Sequence, residues 1–338
     1  MFYRLIRWFL FLFEPETSHK IAVFSMKMMR LFGLSGLLYP AVRDEVKIWG
    51  LTFPNRIGLA GGFDKNGAFI SELFSLGFGF VEIGTVTPLA QPGNPKPRQF
   101  RIPSHHALIN RMGFNNEGVE ALVKNVKKAK RSGILGISIG KNAKTTEAEA
   151  LNDYLKCLDA VYEYADYIAV NISSPNTKGL RNLQLLDTLP AFLKPLKEHQ
   201  AEWQKKTGKF VPLLVKIAPD LALEDVRGMG QIFLDCGIDG VIATNTTVTR
   251  DAVQDSPYAG EAGGLSGEPV KALAYPVIKE MAAVLQKKIP LIASGGVMSA
   301  QDVKDYIAVG ADLVQIYTGF LYKGPAFIAE AAKAIKEA

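Results

Sequence analysis

Asn110, Asn171, Asn176 and Asn245 are the residues whose chemistry stands out first. Singly, an asparagine forms a turn or caps a helix. Each also offers both a donor and an acceptor, so a ring of four suits a small heterocycle with alternating N–H and C=O groups. Lys65 and Lys216 add two positive charges for a carboxylate or a developing anion. Gly295-Gly296 and Thr318-Gly319 are backbone positions that a phosphate can approach closely. The four histidines, His19, His105, His106 and His199, form no metal-ligand spacing, and no Ser–His–Asp arrangement is evident. A phosphate-bearing organic cofactor is expected, and no metal.

These residues must be carried by a scaffold, and one pattern repeats from Arg56 onward. Short apolar, β-branched runs end in Gly, Asn, Thr or Ser, and each is followed by a helical stretch. The runs are IGLA (57–60), FVEIG (80–84), LGISIG (135–140), DYIAVNIS (166–173), PLLVKIA (212–218), GVIATNT (240–246), PLIASGG (290–296) and LVQIYTG (313–319). Strands apolar throughout and alternating with helices form a parallel sheet covered on both faces. Eight such units predict an α/β fold, a (β/α)8 TIM barrel, with its site at the C-terminal strand ends. An open doubly wound sheet is the alternative, but GGFDKNG after the first strand lacks its G-x-G-x-x-G turn. EVKIWGLTFPNR (45–56) reads as a hairpin able to plug the lower end of the barrel.

The charge is uneven. The net charge is +6, and six basic residues (Arg4, Arg7, Lys20, Lys27, Arg30, Arg43) against Glu14 and Glu16 put +4 in the first 43 residues. A basic patch at one end points to a local anionic surface such as a membrane. Nucleic acid would call for a basic stripe across the body, so none is expected. Phe2–Phe13 is an apolar run broken by Arg4 and Arg7, shorter than the ~20 residues of a spanning helix. A second helix opens at Pro15 with Thr17 or Ser18 and closes at Gly33, with Ile21, Phe24, Met28 and Leu31 on one face. Two amphipathic helices either lie in a membrane interface or cap the barrel, and the pattern alone leaves both open. No small-x-small cleavage site follows the apolar run, which argues against a signal peptide. Cys157 and Cys236 suggest neither a disulfide framework nor a metal site, and fit a reducing compartment.

The strings AGGFDKNG, NRMGFNN, NISSPNTKGL, VKIAPD, TNTT, GGLSG, SGGV and QIYTG, in this order, resemble the dihydroorotate dehydrogenase family, in its class 2, quinone-using, membrane-associated branch. The resemblance spans nearly the whole chain and implies oxidation of dihydroorotate to orotate, a step of pyrimidine biosynthesis. It implies FMN held by Gly61, Gly62, Phe63, Asp64, Lys65, Thr85, Ser138, Asn171, Lys216, Thr244, Gly267, Gly295, Gly296, Tyr317 and Thr318. It implies substrate held by Lys65, Asn110, Arg111, Met112, Gly113, Phe114, Asn171, Asn176, Asn245 and Thr246. Ser174 takes the place of the catalytic base, where the class 1 branch has cysteine. A serine is a weak base, so Thr177 would relay its proton and Phe114 would exclude water. The implied mechanism removes a proton from C5 and a hydride from C6, with Lys216 stabilising negative charge on the flavin.

One departure is Ser138, where the family often has asparagine; serine reaches less far toward a flavin ring. The resemblance divides the chain into a helical extension, 1–43, and a barrel, 44–338. Residues 1–33 would form a tunnel for a membrane quinone, lined by His19 and Arg101, with Tyr317 between quinone and flavin. The expected protein is a monomer bound peripherally through residues 1–33 to the cytoplasmic face of the cell membrane. A dihydrouridine synthase acting on RNA would need a cysteine in the mouth and a basic body, and neither is present. A non-catalytic binding barrel would carry no flavin spectrum.

Overall fold

The computed structural model describes residues 2–336; Met1, Glu337 and Ala338, the outer ends of the two expected segments, lie outside the described residues. A two-residue turn at Trp49-Gly50 joins strands β1 (Val46–Ile48) and β2 (Leu51–Phe53) in an antiparallel hairpin. Eight parallel strands then close a barrel. In chain order they are β3 (Ile57–Leu59), β4 (Phe80–Val86), β7 (Ile134–Ile139), β8 (Tyr167–Asn171), β9 (Leu213–Ile217), β10 (Gly240–Ala243), β12 (Leu291–Ser294) and β13 (Leu313–Ile316). The circle closes where β13 pairs with β3, Val314 opposite Ile57. All eight expected runs are strands.

Closure follows from side-chain size. Small residues face large ones across the interior: a Cβ on Gly58 would lie 2.3 Å from the Phe80 ring, and one on Gly136 would lie 2.0 Å from the Tyr167 ring. Phe80 and Tyr167 therefore fill the lower barrel, with Leu214, Ile242, Ile292 and Leu313. The hairpin plugs this end, as its sequence suggests. Phe53 packs at 5.6 Å from Phe80, and the Trp49 indole N–H donates to the Asp239 carbonyl at 2.7 Å.

An outer ring of helices covers the sheet: α4 (Ile70–Phe74), α5 (Val119–Lys128), α6 (Ala150–Val161), α7 (Leu189–Thr207), α8 (Leu223–Asp235), α9 (Lys271–Leu285), α10 (Ala300–Ala308), α11 (Thr318–Lys323) and α12 (Ala326–Lys336). The sequence reading did not foresee a second, antiparallel sheet of β5 (Gln99–Ile102), β6 (Ala107–Asn110) and β11 (Gly264–Gly267). It supplies Gln99, Asn110, Ser266 and Gly267 to the cavity at the barrel mouth.

The amino-terminal segment has three helices rather than two: α1 (Phe2–Phe11), α2 (Pro15–Leu31) and the short α3 (Leu34–Leu38). Glu14, not Thr17 or Ser18, caps α2, its carboxylate accepting from the Thr17 N–H at 3.1 Å. Gly33 ends the helical run with φ of 69°, a conformation that glycine adopts without strain. One side of these helices is pinned to the barrel. The Tyr3 hydroxyl donates to the Leu321 carbonyl at 2.8 Å, Arg7 donates to the Tyr322 carbonyl at 2.9 Å, and Glu16 receives Arg98 through both oxygens at 2.7 and 3.1 Å. Arg98 and Lys96 hold the Glu16 carboxyl down at about 2. The other side exposes Leu5, Trp8, Leu12, Phe24, Leu31, Phe32, Leu37 and Leu38. The segment thus caps the barrel on one side and presents an apolar face on the other.

Candidate active site

The C-terminal strand ends enclose a cavity of about 1070 Å³, measured to its open mouth. Asn110, Asn171, Asn176 and Asn245 all line it. They are linked: the Asn176 amide donates to the Asn110 carbonyl at 3.1 Å, and the Asn245 amide to the Asn171 side-chain oxygen at 3.3 Å and the Ser173 hydroxyl at 3.0 Å. The Asn171 amide donates to the Thr85 hydroxyl at 2.8 Å, and the Tyr154 hydroxyl to the Asn171 carbonyl at 2.7 Å. Such mutual bonding fixes each amide before any ligand arrives.

Ser174 opens onto the same cavity and is buried. Its hydroxyl oxygen accepts from the Asn176 N–H at 3.3 Å, within the turn that follows β8. Thr177, three residues on, stands behind the lining; its buried hydroxyl has no partner among the described residues. Phe114 lines the cavity with φ of 51°, unusual for a bulky side chain. The segment that carries it is clamped. Gln91 donates to the carbonyls of Gly113 and Phe114 at 3.0 and 3.1 Å, and Asn116 to that of Phe114 at 2.7 Å. Gly140 leaves room for the Phe114 ring, which would lie 3.1 Å from any Cβ there.

Two lysines face inward. Lys65 makes no hydrogen bond among the described residues; burial first, then the Arg98 charge, brings its ammonium down to about 8. Lys216 lies against Glu82, Nζ to Oε1 3.3 Å. On the far side, Gly267, Gly295, Gly296 and Thr318 line one stretch of wall. Gly295 and Gly296 have φ of 116° and 70°.

Tyr317 also lines the cavity, and burial raises its phenol to about 12. Behind it, an edge-to-face aromatic path leads out: Tyr317 to Phe63 at 6.2 Å, then Phe63 to His19 at 4.8 Å. Burial, and then the Lys65 charge, lowers His19 to about 4, so its imidazole is neutral at pH 7. His19 also borders an outer groove with Lys20, Val23, Phe24, Lys27 and Phe69. Arg101 ties the α1–α2 corner to β5: it donates to the Phe13 carbonyl at 2.8 Å and the Ser18 hydroxyl at 2.8 Å, with its guanidinium 4.5 Å over Phe11.

Gly61, Gly62, Met112, Gly113, Thr244 and Thr246 line the cavity as well. Phe63, Asp64, Arg111 and Ser138 stand outside its lining. The Asp64 carboxylate accepts from the Ala68 and Phe69 N–H groups at 2.9 Å each and fixes the start of α4; burial raises it to about 6. Arg111 pairs with Glu261 and donates to the Pro97 carbonyl at 2.9 Å. Ser138 lies 2.9 Å from the Thr85 hydroxyl and backs that residue rather than the cavity. Sequence reasoning missed Glu82, Gln99, Ser266 and Gln315, all on the wall. Glu82 and Gln315 had a signal, a polar residue inside the apolar runs FVEIG and LVQIY.

A family model described as Dihydroorotate dehydrogenase matches residues 44–338. A protein of Saccharophagus degradans named dihydroorotate dehydrogenase (quinone) is 52% identical over 337 residues, 99% of each chain. One of Pseudomonas syringae pv. syringae with the same name is 51% identical over 98% of this chain and 97% of its own. The ligand-free crystal structure of DHODH from Eimeria tenella superposes with a TM-score of 0.85 at 36% identity, over 95% of this chain and 94% of that one.

Proposed function

Since the chain belongs to the dihydroorotate dehydrogenase family, we infer that it oxidises dihydroorotate to orotate, with a flavin as cofactor and a quinone as acceptor. The observation that carries this reading is the joining of two sites by one residue. Tyr317 lines the cavity that holds Ser174 and the four asparagines, and it begins the aromatic path to His19.

The flavin is FMN in this reading, and unsatisfied groups support the fit. The buried Gln315 Oε1 has no donor among the described residues and so awaits one from an occupant. The glycine-lined wall at Gly267, Gly295, Gly296 and Thr318 suits a single phosphate, while Gly61, Gly62, Thr85 and Lys216 would hold the ring system. When bound, the flavin accepts the hydride and delivers the electrons onward to the quinone.

The chain's own groups do the rest. Asn110, Asn171, Asn176 and Asn245 orient the dihydropyrimidine, with Thr246 and the Met112–Phe114 backbone beside them. Lys65 neutralises an anionic group. Ser174 takes the proton from C5 of the substrate, and the unpartnered Thr177 hydroxyl offers a route for it onward. Phe114 keeps water from the pair, which preserves the low dielectric that proton transfer exploits.

Residues 1–43 form the membrane-facing extension and 44–338 the barrel, a division supported by the span of the family match. No helix among the described residues is long and apolar enough to cross a membrane. The exposed apolar side chains of α1–α3, beside Arg4, Lys20 and Lys27, suit peripheral attachment to an anionic leaflet, the cytoplasmic face of the cell membrane. His19 and the groove beside it receive the quinone, while Arg101 shapes that entry by holding the α1–α2 corner. Every group invoked comes from one chain, so a monomer suffices. Formation of orotate from dihydroorotate, followed by the absorbance of the product with and without a quinone, tests the reading. No product in either case would refute it.

A further inference from the structure

Glu82 is fully buried in β4 and lines the cavity below Gly61. A Cβ on Gly61 would lie 2.5 Å from its Oε1, so the carboxylate reaches directly under the glycine turn. Three donors from three other strands converge on it. Lys216 in β9 approaches Oε1 at 3.3 Å; Gln315 in β13 donates to Oε2 at 2.8 Å, and the Tyr167 hydroxyl in β8 donates to Oε2 at 3.2 Å. A carboxylate is an acceptor-only group when ionised, and this set of donors satisfies it in that form. Tyr167 stays a phenol, because burial, and then Glu82, push its ionisation well above the ordinary value. The barrel would fold more simply with an apolar residue here, as at most other inward positions.

We propose that Glu82 is a positioning residue for the flavin site: it fixes the Lys216 ammonium at the cavity floor and offsets part of its charge. This rests on the reading of the cavity as a flavin site. Lys216 favours negative charge on whatever lies above it, so it favours a reduced flavin. A carboxylate 3.3 Å away acts in the opposite sense. The pair sets the flavin's reduction potential low enough for electrons to pass onward to the quinone, and the Tyr167 and Gln315 donors set how much of the carboxylate's charge is felt.

The test is the flavin midpoint potential of the purified holoenzyme in wild type, Glu82→Gln and Tyr167→Phe. The glutamine keeps the shape and removes the charge. It should tilt the flavin toward its reduced form about tenfold, a rise of ~30 mV for a two-electron couple. The phenylalanine removes a donor from the carboxylate and should lower the potential by a smaller amount. A purely structural role would not give shifts of opposite sign. An unchanged potential in flavin-loaded Glu82→Gln, or shifts of the same sign in both variants, overturns the proposal. If Glu82→Gln does not hold flavin, Tyr167→Phe decides alone: a lowered potential supports the proposal, an unchanged or raised one refutes it. A wild-type protein without flavin, or with flavin that dihydroorotate does not reduce, would instead refute the underlying reading.

Discussion

The imidazole of His19 stands edge-on to the ring of Phe63, centroids 4.8 Å apart, and Phe63 in turn meets Tyr317 on the cavity wall. His19 therefore sits at the outer end of a path and touches none of the proton-transfer groups. His19→Ala should spare flavin reduction by dihydroorotate and slow reoxidation by quinone. Because His19 is lowered to about 4, the quinone step of the wild type should show no titration near 6.5. Stopped-flow measurement of each half-reaction from pH 5.5 to 8 checks both. Equal loss in the two steps would refute the assignment.

Ser174→Ala should keep the flavin and slow its reduction by ~10²–10⁴-fold, the usual contribution of a general base. Ser174→Cys should retain activity with an altered pH profile, since a thiol ionises more readily than a hydroxyl. Reduction of the alanine variant at the wild-type rate would show that another group takes the proton.

Lys65 yields a prediction above neutrality. Its ordinary value of 10.5 falls to about 8 in the folded protein. An empty site therefore loses its ammonium as pH rises through about 8, and the KM for dihydroorotate should climb there, while the rate at saturating substrate follows less steeply. The linkage runs the other way for stability. Below pH 8 the folded state holds a proton at a buried cost; between 8 and 10.5 the unfolded chain binds more protons, so this group's contribution to stability rises with pH. Lys65→Ala should raise KM at pH 7 and flatten the alkaline limb. A KM that is flat from pH 7 to 9 in the wild type would contradict the role.

The strands were legible in the sequence because each lies buried on both faces and so reads as a continuous apolar run. β5, β6 and β11 were not: QFRI, ALIN and GLSG are four residues each, and β6 joins β11 across more than 150 residues of chain. Site residues at strand ends were legible, since the fold dictates where those ends point. Which way an individual side chain turns was not, even inside a strand, because it depends on distant partners. Arg111 turns away to Glu261, and Ser138 backs Thr85. Glu82 was visible as a charge in an apolar strand, but its meaning depends on partners 85, 134 and 233 residues on.

The extension makes a separable prediction. Trp8 and Leu37 are 65% and 78% exposed. Burying such a side chain in lipid contributes ~1.5–3 kcal/mol. Trp8→Glu with Leu37→Glu should reduce partition to anionic vesicles by at least tenfold and leave flavin reduction unchanged. Wild-type binding should weaken as salt rises, because surface attraction is screened over a Debye length. Sedimentation with vesicles at two salt concentrations measures both effects. Undiminished binding of the double variant would place the membrane contact elsewhere.

One chain is expected to take electrons from dihydroorotate in the cavity and to give them up along the path through Tyr317. Anaerobic addition of dihydroorotate to the purified protein, with flavin absorbance followed in a closed cell, tests it directly. The absorbance should bleach by one equivalent of substrate per flavin and return when a quinone is added without oxygen. A flavin that stays oxidised with dihydroorotate, or that bleaches and is not restored by any quinone, would contradict the account.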